Sequence, residues 1–411
     1  MSDTLRNTTT RRLKVPPPGP RQAMGTPSTG CLIYVPWIFD MLGGVDVVVE
    51  RLYRGISQLP EFADRVWIGE QEWAMSGDHV DESGRRFLRL NLPPPPGLAA
   101  FFPRYFITLG RRLPALKRHL DSHAIGVINC HFPTANIYTL AMLKKLGLWH
   151  GRLILSFHGS DVLGIEPETH VWRTIASATD TTTACSGWLA DQVASTGLWR
   201  RDDIQVIANG IDINEFMPYE SSPIDLSPRR YILNVGNYTP VKAQDVLLRA
   251  FATIAKKFDN VDLVFAGGAQ GGAWLNHLLD QAAELGLADR THFLTDIPHA
   301  RIPALMEGAL LLAQTSKREG FSLVLLEAGL MRRAVVSTAV GGIPEVISSP
   351  ELGRLVSVDD ENRLAEELDE MLNNASLRDE LGANLQQHVI GKFSVSAMTE
   401  KYARTLFPAP P

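Results

Sequence analysis

The chain has 411 residues, 45% of them hydrophobic, with 40 Lys and Arg against 45 Asp and Glu and a net charge of −5. Such a length can hold two domains with separate cores, and the acidic balance argues against general nucleic-acid binding. No stretch reaches the ~20 apolar residues of a membrane span. Residues 1–29 place Arg11, Arg12, Lys14 and Arg21 among Thr, Pro and Gly, with no apolar core of a secretory signal, and read as a disordered tail. Cys31, Cys130 and Cys185 are far apart and lie in or beside apolar segments, as buried thiols of a reducing, cytoplasmic compartment do. Their spacing is that of neither a metal site nor a disulfide framework.

Residues 31–35 form a short apolar run, expected as a buried first strand. Gly43 and Gly44 follow, then a helical pattern over 45–59. Strand, Gly-Gly loop and helix open a doubly wound α/β domain, with glycine letting a ligand approach the backbone. No G-x-G-x-x-G or Walker A motif points to a dinucleotide enzyme or a P-loop NTPase. Further strands are expected at 66–68 and 87–90, and a stiff polyproline spacer at 93–96. From Ser83 to Leu120 there is no Asp or Glu, but there are Arg85, Arg86, Arg89, Arg104, Arg111, Arg112, Lys117 and Arg118. Residues 98–120 also carry Phe101, Phe102, Tyr105, Phe106, Ile107 and Leu109. Such a helix can lie on an anionic membrane surface, or it can pack its aromatics into its own domain.

A strand over 125–129 leads to Cys130-His131-Phe132-Pro133, and 135–146 reads as a helix. The apolar run 152–157 is a buried strand with His158-Gly159-Ser160-Asp161 at its carboxyl end. That edge of an open α/β sheet is where ligands bind, so His158 is a candidate substrate contact; a structural histidine is the plainer alternative. Residues 181–185 form another strand with Ser186 ahead of a helix, and 204–207 leads into the turn Asn209-Gly210-Ile211-Asp212. Residues 217–229, rich in Pro and Ser, read as an interdomain linker.

The alternation then restarts. Strands are expected at 231–235, 261–266, 291–294, 309–313, 334–337 and 355–358, with helices at 245–258, 274–287 and 302–307 and after Asp360. Gly236, Asn237 and Lys242 lie in the first loop, Gly267 and Gly268 in the second, and Gly341-Gly342-Ile343-Pro344-Glu345 opens a late helix. Between 309–313 and 334–337 come Glu319 and Glu327, on either side of a seven-residue spacer. Gly320 sits at a loop-to-helix junction and Ser322 is a plausible cap. The free amides of Phe321, Ser322, Leu323 and Val324 at that helix start would welcome a phosphate. Alone, the pair could be two solvated glutamates on an amphipathic helix. Two β-α-β series around a Pro-rich hinge imply two facing Rossmann-like domains.

These motifs, in this order, resemble the family 4 glycosyltransferases, retaining enzymes of GT-B fold, over residues 31–402. The resemblance implies a first domain over 30–216 that faces the acceptor and a nucleotide-sugar domain over 230–393. A helix over 394–411 would pack back on the first domain. It implies that Lys242 neutralises the donor diphosphate with help from the amides of Gly320, Phe321, Ser322 and Leu323. Glu327 would accept from the ribose hydroxyls, Glu319 would hold the transferred sugar, Gly43 and Gly44 would approach the diphosphate, and His158 would face sugar and acceptor. Many relatives carry Arg where Asn237 stands, so the phosphate site has one cation fewer. No Asp-x-Asp occurs, which suits a reaction with no metal and no cofactor, run on protein cations and helix dipoles. The expected partners are a nucleotide-sugar donor and a glycan or lipid-linked acceptor at the inner face of the cell membrane, as in exopolysaccharide or lipopolysaccharide assembly. The alternatives are a small soluble sugar or sugar-phosphate acceptor, or a non-catalytic sugar-nucleotide sensor.

Overall fold

The computed structural model describes residues 30–39, 43–60, 62–72, 77–92, 95, 102–216, 230–269, 271–295 and 297–408. The tail over 1–29, the linker over 217–229 and most of the 93–96 spacer lie outside the described residues.

Two parallel sheets organise the chain. The first holds β1 (Gly30–Val35), β2 (Val66–Gln71), β3 (Gly77–Val80), β4 (Arg86–Leu90), β5 (Ile125–His131), β6 (Arg152–Phe157), β7 (Thr181–Ala184) and β8 (Ile204–Val206). Their order is β3-β4-β2-β1-β5-β6-β7-β8, with only β3 antiparallel. The second holds β9 (Arg230–Val235), β10 (Val261–Gly267), β11 (Thr291–Thr295), β12 (Leu311–Gln314), β13 (Ala334–Thr338) and β14 (Arg354–Val356), ordered β11-β10-β9-β12-β13-β14. The central strands are buried on both faces, which is why they read as continuous apolar runs without alternation. Burial pushes the Cys31 thiol up to about 12 and raises those of Cys130 and Cys185.

Strand order reverses between β1 and β5 in one sheet and between β9 and β12 in the other, and ligand crevices open at the carboxyl ends of such pairs. β3 was not expected. Its sequence Gly-Asp-His-Val has no apolar alternation, because it is a sheet edge exposed at every second residue. The last helix, Val395–Leu406, packs on the helix Gly44–Ser57, and Arg152 donates to the carbonyls of Thr405 and Leu406. Phe407 stacks on Phe62 at 4.1 Å.

Arg86 and Arg89 of the basic stretch lie on β4, while its later part forms the helix Phe102–Ser122. Its Leu109, Leu113, Leu116 and Leu120 are buried in the first domain's own core. Half of the eight basic side chains between Ser83 and Leu120 meet carboxylates, and of these only Lys117 is on the helix. Arg85 pairs with Glu50 and Asp81, Arg86 with Asp64, Arg89 with Glu70 and Glu72, and Lys117 with Asp121. Ile107, Arg111 and Arg118 remain exposed, spaced to share one helix face.

Candidate active site

The first half of the site is built on β6. At its end Asp161 accepts from the backbone N–H groups of His158 (2.8 Å), Gly159 (2.7 Å) and Val162 (3.2 Å). These bonds hold a tight turn in which Gly159 has φ +153°, a conformation that side-chain-bearing residues rarely adopt. Burial lifts the Asp161 carboxyl to about 6, against the backbone N–H groups that pull it down. The His158 ring meets His131 of β5, Nε2 to Nδ1 at 2.8 Å. Burial holds His158 down at about 4 and, with His158 beside it, pushes His131 well below the ordinary histidine range, so both imidazoles are neutral at pH 7.

The second half comes from the loops after β9 and β12, the two strands at that sheet's reversal. Lys242 Nζ lies 2.6 Å from Glu319 Oε1, which also accepts from Ser316 Oγ at 2.7 Å. Gly341 lets the following loop lie directly on Glu319: a Cβ there would sit 1.6 Å from the Glu319 carbonyl oxygen. Helix Leu323–Leu330 begins just beyond.

Two glycines join the halves. A Cβ on Gly320 would sit 2.0 Å from the His158 carbonyl oxygen, so the loops after β6 and β12 touch backbone to backbone. Ser186 Oγ donates to the Gly320 carbonyl at 2.8 Å. Glu345 accepts from the N–H groups of Gly187 and Trp188, both at 3.0 Å, so a carboxylate of one domain closes the N-terminus of a helix of the other. A Cβ on Gly44 would lie 3.6 Å from Leu323 Cδ1, which sets the starts of two helices face to face.

Of the residues expected from sequence, Lys242, Glu319, Gly320, Leu323, Gly44 and His158 are therefore brought together where the two domains touch, with Gly43 next to Gly44 in the chain. Others have different partners. Asn237 Oδ1 accepts from Gly268 N–H at 3.2 Å and ties two glycine loops together. Phe321 is buried and packs edge-on against Phe393. Ser322 stands at the N-cap position, but its side chain makes no capping bond. The expected cap is corrected: the hydroxyl leaves that helix start uncapped. Glu327 is buried, and its Oε1 meets His299 Nε2 at 3.0 Å.

Sequence reasoning missed His131, Asn129, Ser186 and the His299–Glu327 contact. His131 ends a strand one position before an aromatic, a signal that a scan for site histidines at carboxyl ends of strands would have caught. Ser186 is legible in the sequence only as the cap of its own helix, and nothing local marks its bond to Gly320 or the partners of Asn129 across the sheet. The sequence places base-reading side chains in the loop 296–299; residue 296 lies outside the described residues, and His299 reaches the second carboxylate.

Two family models match the chain in succession. Glycosyltransferase Family 4 covers residues 42–215, and Glycosyl transferases group 1 covers residues 222–388. A D-inositol 3-phosphate glycosyltransferase of Salinispora tropica is 33% identical over 202 residues, 45% of this chain and 42% of that protein. One from Mycobacterium tuberculosis is 34% identical over 179 residues, 41% of this chain and 36% of that protein. The chain thus spans less than half the length of these curated relatives. Among solved structures, HepE of Anabaena in complex with UDP superposes with TM-score 0.70 at 19% identity, over 92% of this chain and 99% of that one. Sucrose-phosphate synthase of Thermosynechococcus elongatus gives 0.71 at 18%, over 92% and 98%. At such identities the likeness speaks for the fold, and that fold is GT-B.

Proposed function

The chain belongs to the family 4 glycosyltransferases, and from that membership we propose that it moves a sugar from a nucleotide diphosphate-sugar to an acceptor hydroxyl with retention at the anomeric carbon. One observation carries the reading: Lys242 and Glu319, in contact at 2.6 Å, stand at the sheet's reversal where the second domain's Gly320 meets the His158 loop of the first. In the reaction the bond from the anomeric carbon to the phosphate oxygen breaks and one to the acceptor oxygen forms, while the acceptor hydroxyl passes its proton to the departing diphosphate. Lys242 and the amides at the start of helix Leu323–Leu330 stabilise the departing diphosphate. Glu319 positions sugar hydroxyls, and Glu327 accepts from the ribose.

For the acceptor we favour a small soluble molecule, a sugar, polyol or its phosphate. The matched relatives are named for such a substrate, and carboxylates of its own domain take up much of the basic stretch's charge. The second reading, a lipid-linked glycan, rests on the exposed face of Ile107, Arg111 and Arg118. Among the described residues no helix is long and apolar enough to cross a membrane, so that reading places the protein peripherally at the inner leaflet. Vesicles of anionic lipid at low salt separate the two: co-sedimentation lost on Arg111→Glu with Arg118→Glu supports the membrane reading, and no sedimentation removes it.

The activity itself is tested by screening hydrolysis and transfer across UDP-, GDP- and ADP-sugars. Lys242→Ala and Glu319→Ala are expected to fold normally and to lose on the order of 10²–10³ in kcat, the cost of deleting a preorganised electrostatic contact. Near-normal turnover in both variants would sink the assignment.

A further inference from the structure

His158 does not stand alone behind the cleft; it ends a string of buried polar groups that runs across the first sheet. His131 Nδ1 lies 2.8 Å from His158 Nε2. Asn129 Nδ2 lies 2.8 Å from His131 Nε2, Ser156 Oγ bonds Asn129 Oδ1 at 2.8 Å, and Thr183 Oγ1 bonds Ser156 Oγ at 2.8 Å. The phenol of Tyr402, on the C-terminal helix, lies against the Ser156 and Thr183 hydroxyls, and its ring sits 5.6 Å from that of His131. Asn129, His131 and Ser156 are fully buried, and Thr183 and Tyr402 nearly so.

We propose that this string sets the tautomer of His158, so that its free ring nitrogen, Nδ1, carries the proton and faces the ligand as a neutral hydrogen-bond donor. The proposal rests on the donor-site reading above only for what that donor contacts.

Each link follows from which groups can give a proton. Thr183 donates to Ser156 Oγ, and the Tyr402 phenol stands beside both hydroxyls. Ser156 is left to donate onward to the only pure acceptor in reach, Asn129 Oδ1. The amide of Asn129 must then present N–H to His131 Nε2, which makes that nitrogen an acceptor. A neutral imidazole has one donor and one acceptor, so His131 donates from Nδ1 to His158 Nε2. His158 keeps its proton on Nδ1, which has no hydrogen-bond partner among the described residues. Burial keeps both rings neutral and so keeps the string from being short-circuited by a second proton. Run in the opposite sense, the same string would leave Nδ1 as an acceptor able to act as a base. The direction therefore decides between a group that polarises or orients a substrate oxygen and one that removes a proton. Asn129, His131 and Tyr402 are positioning residues, acting on substrate only through His158.

The test is ¹⁵N NMR of the full chain labelled at histidine, with resonances assigned by His131→Gln and His158→Gln, first without any nucleotide-sugar. His158 and His131 are each expected with Nδ1 protonated and Nε2 unprotonated, the less common form of free imidazole. Asn129→Leu removes the donor to His131, and Tyr402→Phe removes the phenol with little change of shape. Both are expected to shift His158 toward the Nε2–H form, and Tyr402→Phe guards against an Asn129 variant that does not fold. Transfer by Tyr402→Phe should then lose on the order of tenfold in kcat with donor KM within about twofold, part of the hundredfold typical of deleting a donor outright. Wild-type His158 with Nε2–H, or a tautomer untouched by both substitutions, overturns the proposal. Because the tautomer is read without donor, the expected tautomer in a protein that transfers no sugar would sink the transferase reading and leave the string standing.

Discussion

The two halves of the cleft are built on opposite electrostatic principles. On the first-domain side the ionisable groups are neutral or fully engaged: two uncharged imidazoles, and a carboxylate that accepts three backbone N–H groups. On the second-domain side two carboxylates are each held by a basic partner, Glu319 by Lys242 and Glu327 by His299. Those are the groups that a diphosphate and a ribose would engage. The first half is finished before a ligand arrives, whereas the second must exchange partners. The difference teaches where binding free energy would go on the proposed reading: a donor would recruit Lys242 from Glu319, and its sugar would take the oxygen that Lys242 leaves.

The largest effect is expected where the halves meet. Gly320→Ala sets a Cβ 2.0 Å from the His158 carbonyl oxygen, and both clashing partners are backbone, so neither can swing aside. The domains must part by more than an ångström, and misplacement of that size costs on the order of 10²-fold in rate. Scattering should show a more open particle with both sheets intact. Full activity with unchanged dimensions would mean that the halves do not work in contact.

Much of this architecture is visible in the chain, but unevenly. Apolar runs closing on glycine announce strands and phosphate-side loops because central parallel strands are buried on both faces, and the Glu319–Glu327 spacing marks a helix start. What is hidden depends on contacts remote in sequence. Asn129 reads as the tail of a strand, and only register brings it beside Ser156, 27 residues away. The acid-free stretch around Arg85 and Arg89 looks like a free cationic surface until Glu50, Asp64 and Glu70 arrive from other elements. Ser322 has the right residue type in the right place for a cap and does not make the bond. Local chemistry permits a cap; the packing around the helix start decides whether it forms.

A second test uses pH to separate the halves. Asp161 is raised to about 6 in the fold, while an unfolded Asp ionises near about 3.9. Between those values the folded chain holds a proton that the unfolded chain has lost. The contribution of Asp161 to stability is therefore greatest at low pH and is lost as pH rises through about 6. Activity should move the other way, because the His158 turn needs carboxylate oxygens to accept its amides. We expect turnover to fall with a one-proton limb below about pH 6, with nucleotide affinity much less affected than kcat. A limb that appears equally in nucleotide binding would place its origin in the second half.

The smallest effect sharpens the contrast from the other side. Glu327 is a buried carboxylate whose one described partner is His299, itself about two-fifths exposed at 39%. A carboxylate has about four lone-pair sites, so His299 on Oε1 leaves room for the ribose hydroxyls of the proposed donor and would fix the direction in which they are accepted. His299→Ala leaves that oxygen unpaired in the free protein, which costs about 1–3 kcal/mol of stability, and lets the carboxylate turn. Nucleotide affinity should weaken by a few-fold, roughly the 1 kcal/mol net worth of one hydrogen bond, with kcat at saturating donor little changed. His299→Gln, which keeps an N–H donor, should recover part of both losses. Calorimetric titration of UDP, GDP and ADP into the three proteins reads the effect. Tighter binding by His299→Ala would mean that His299 competes with the ribose for Glu327, and the second half would then have to discard a partner at both of its carboxylates.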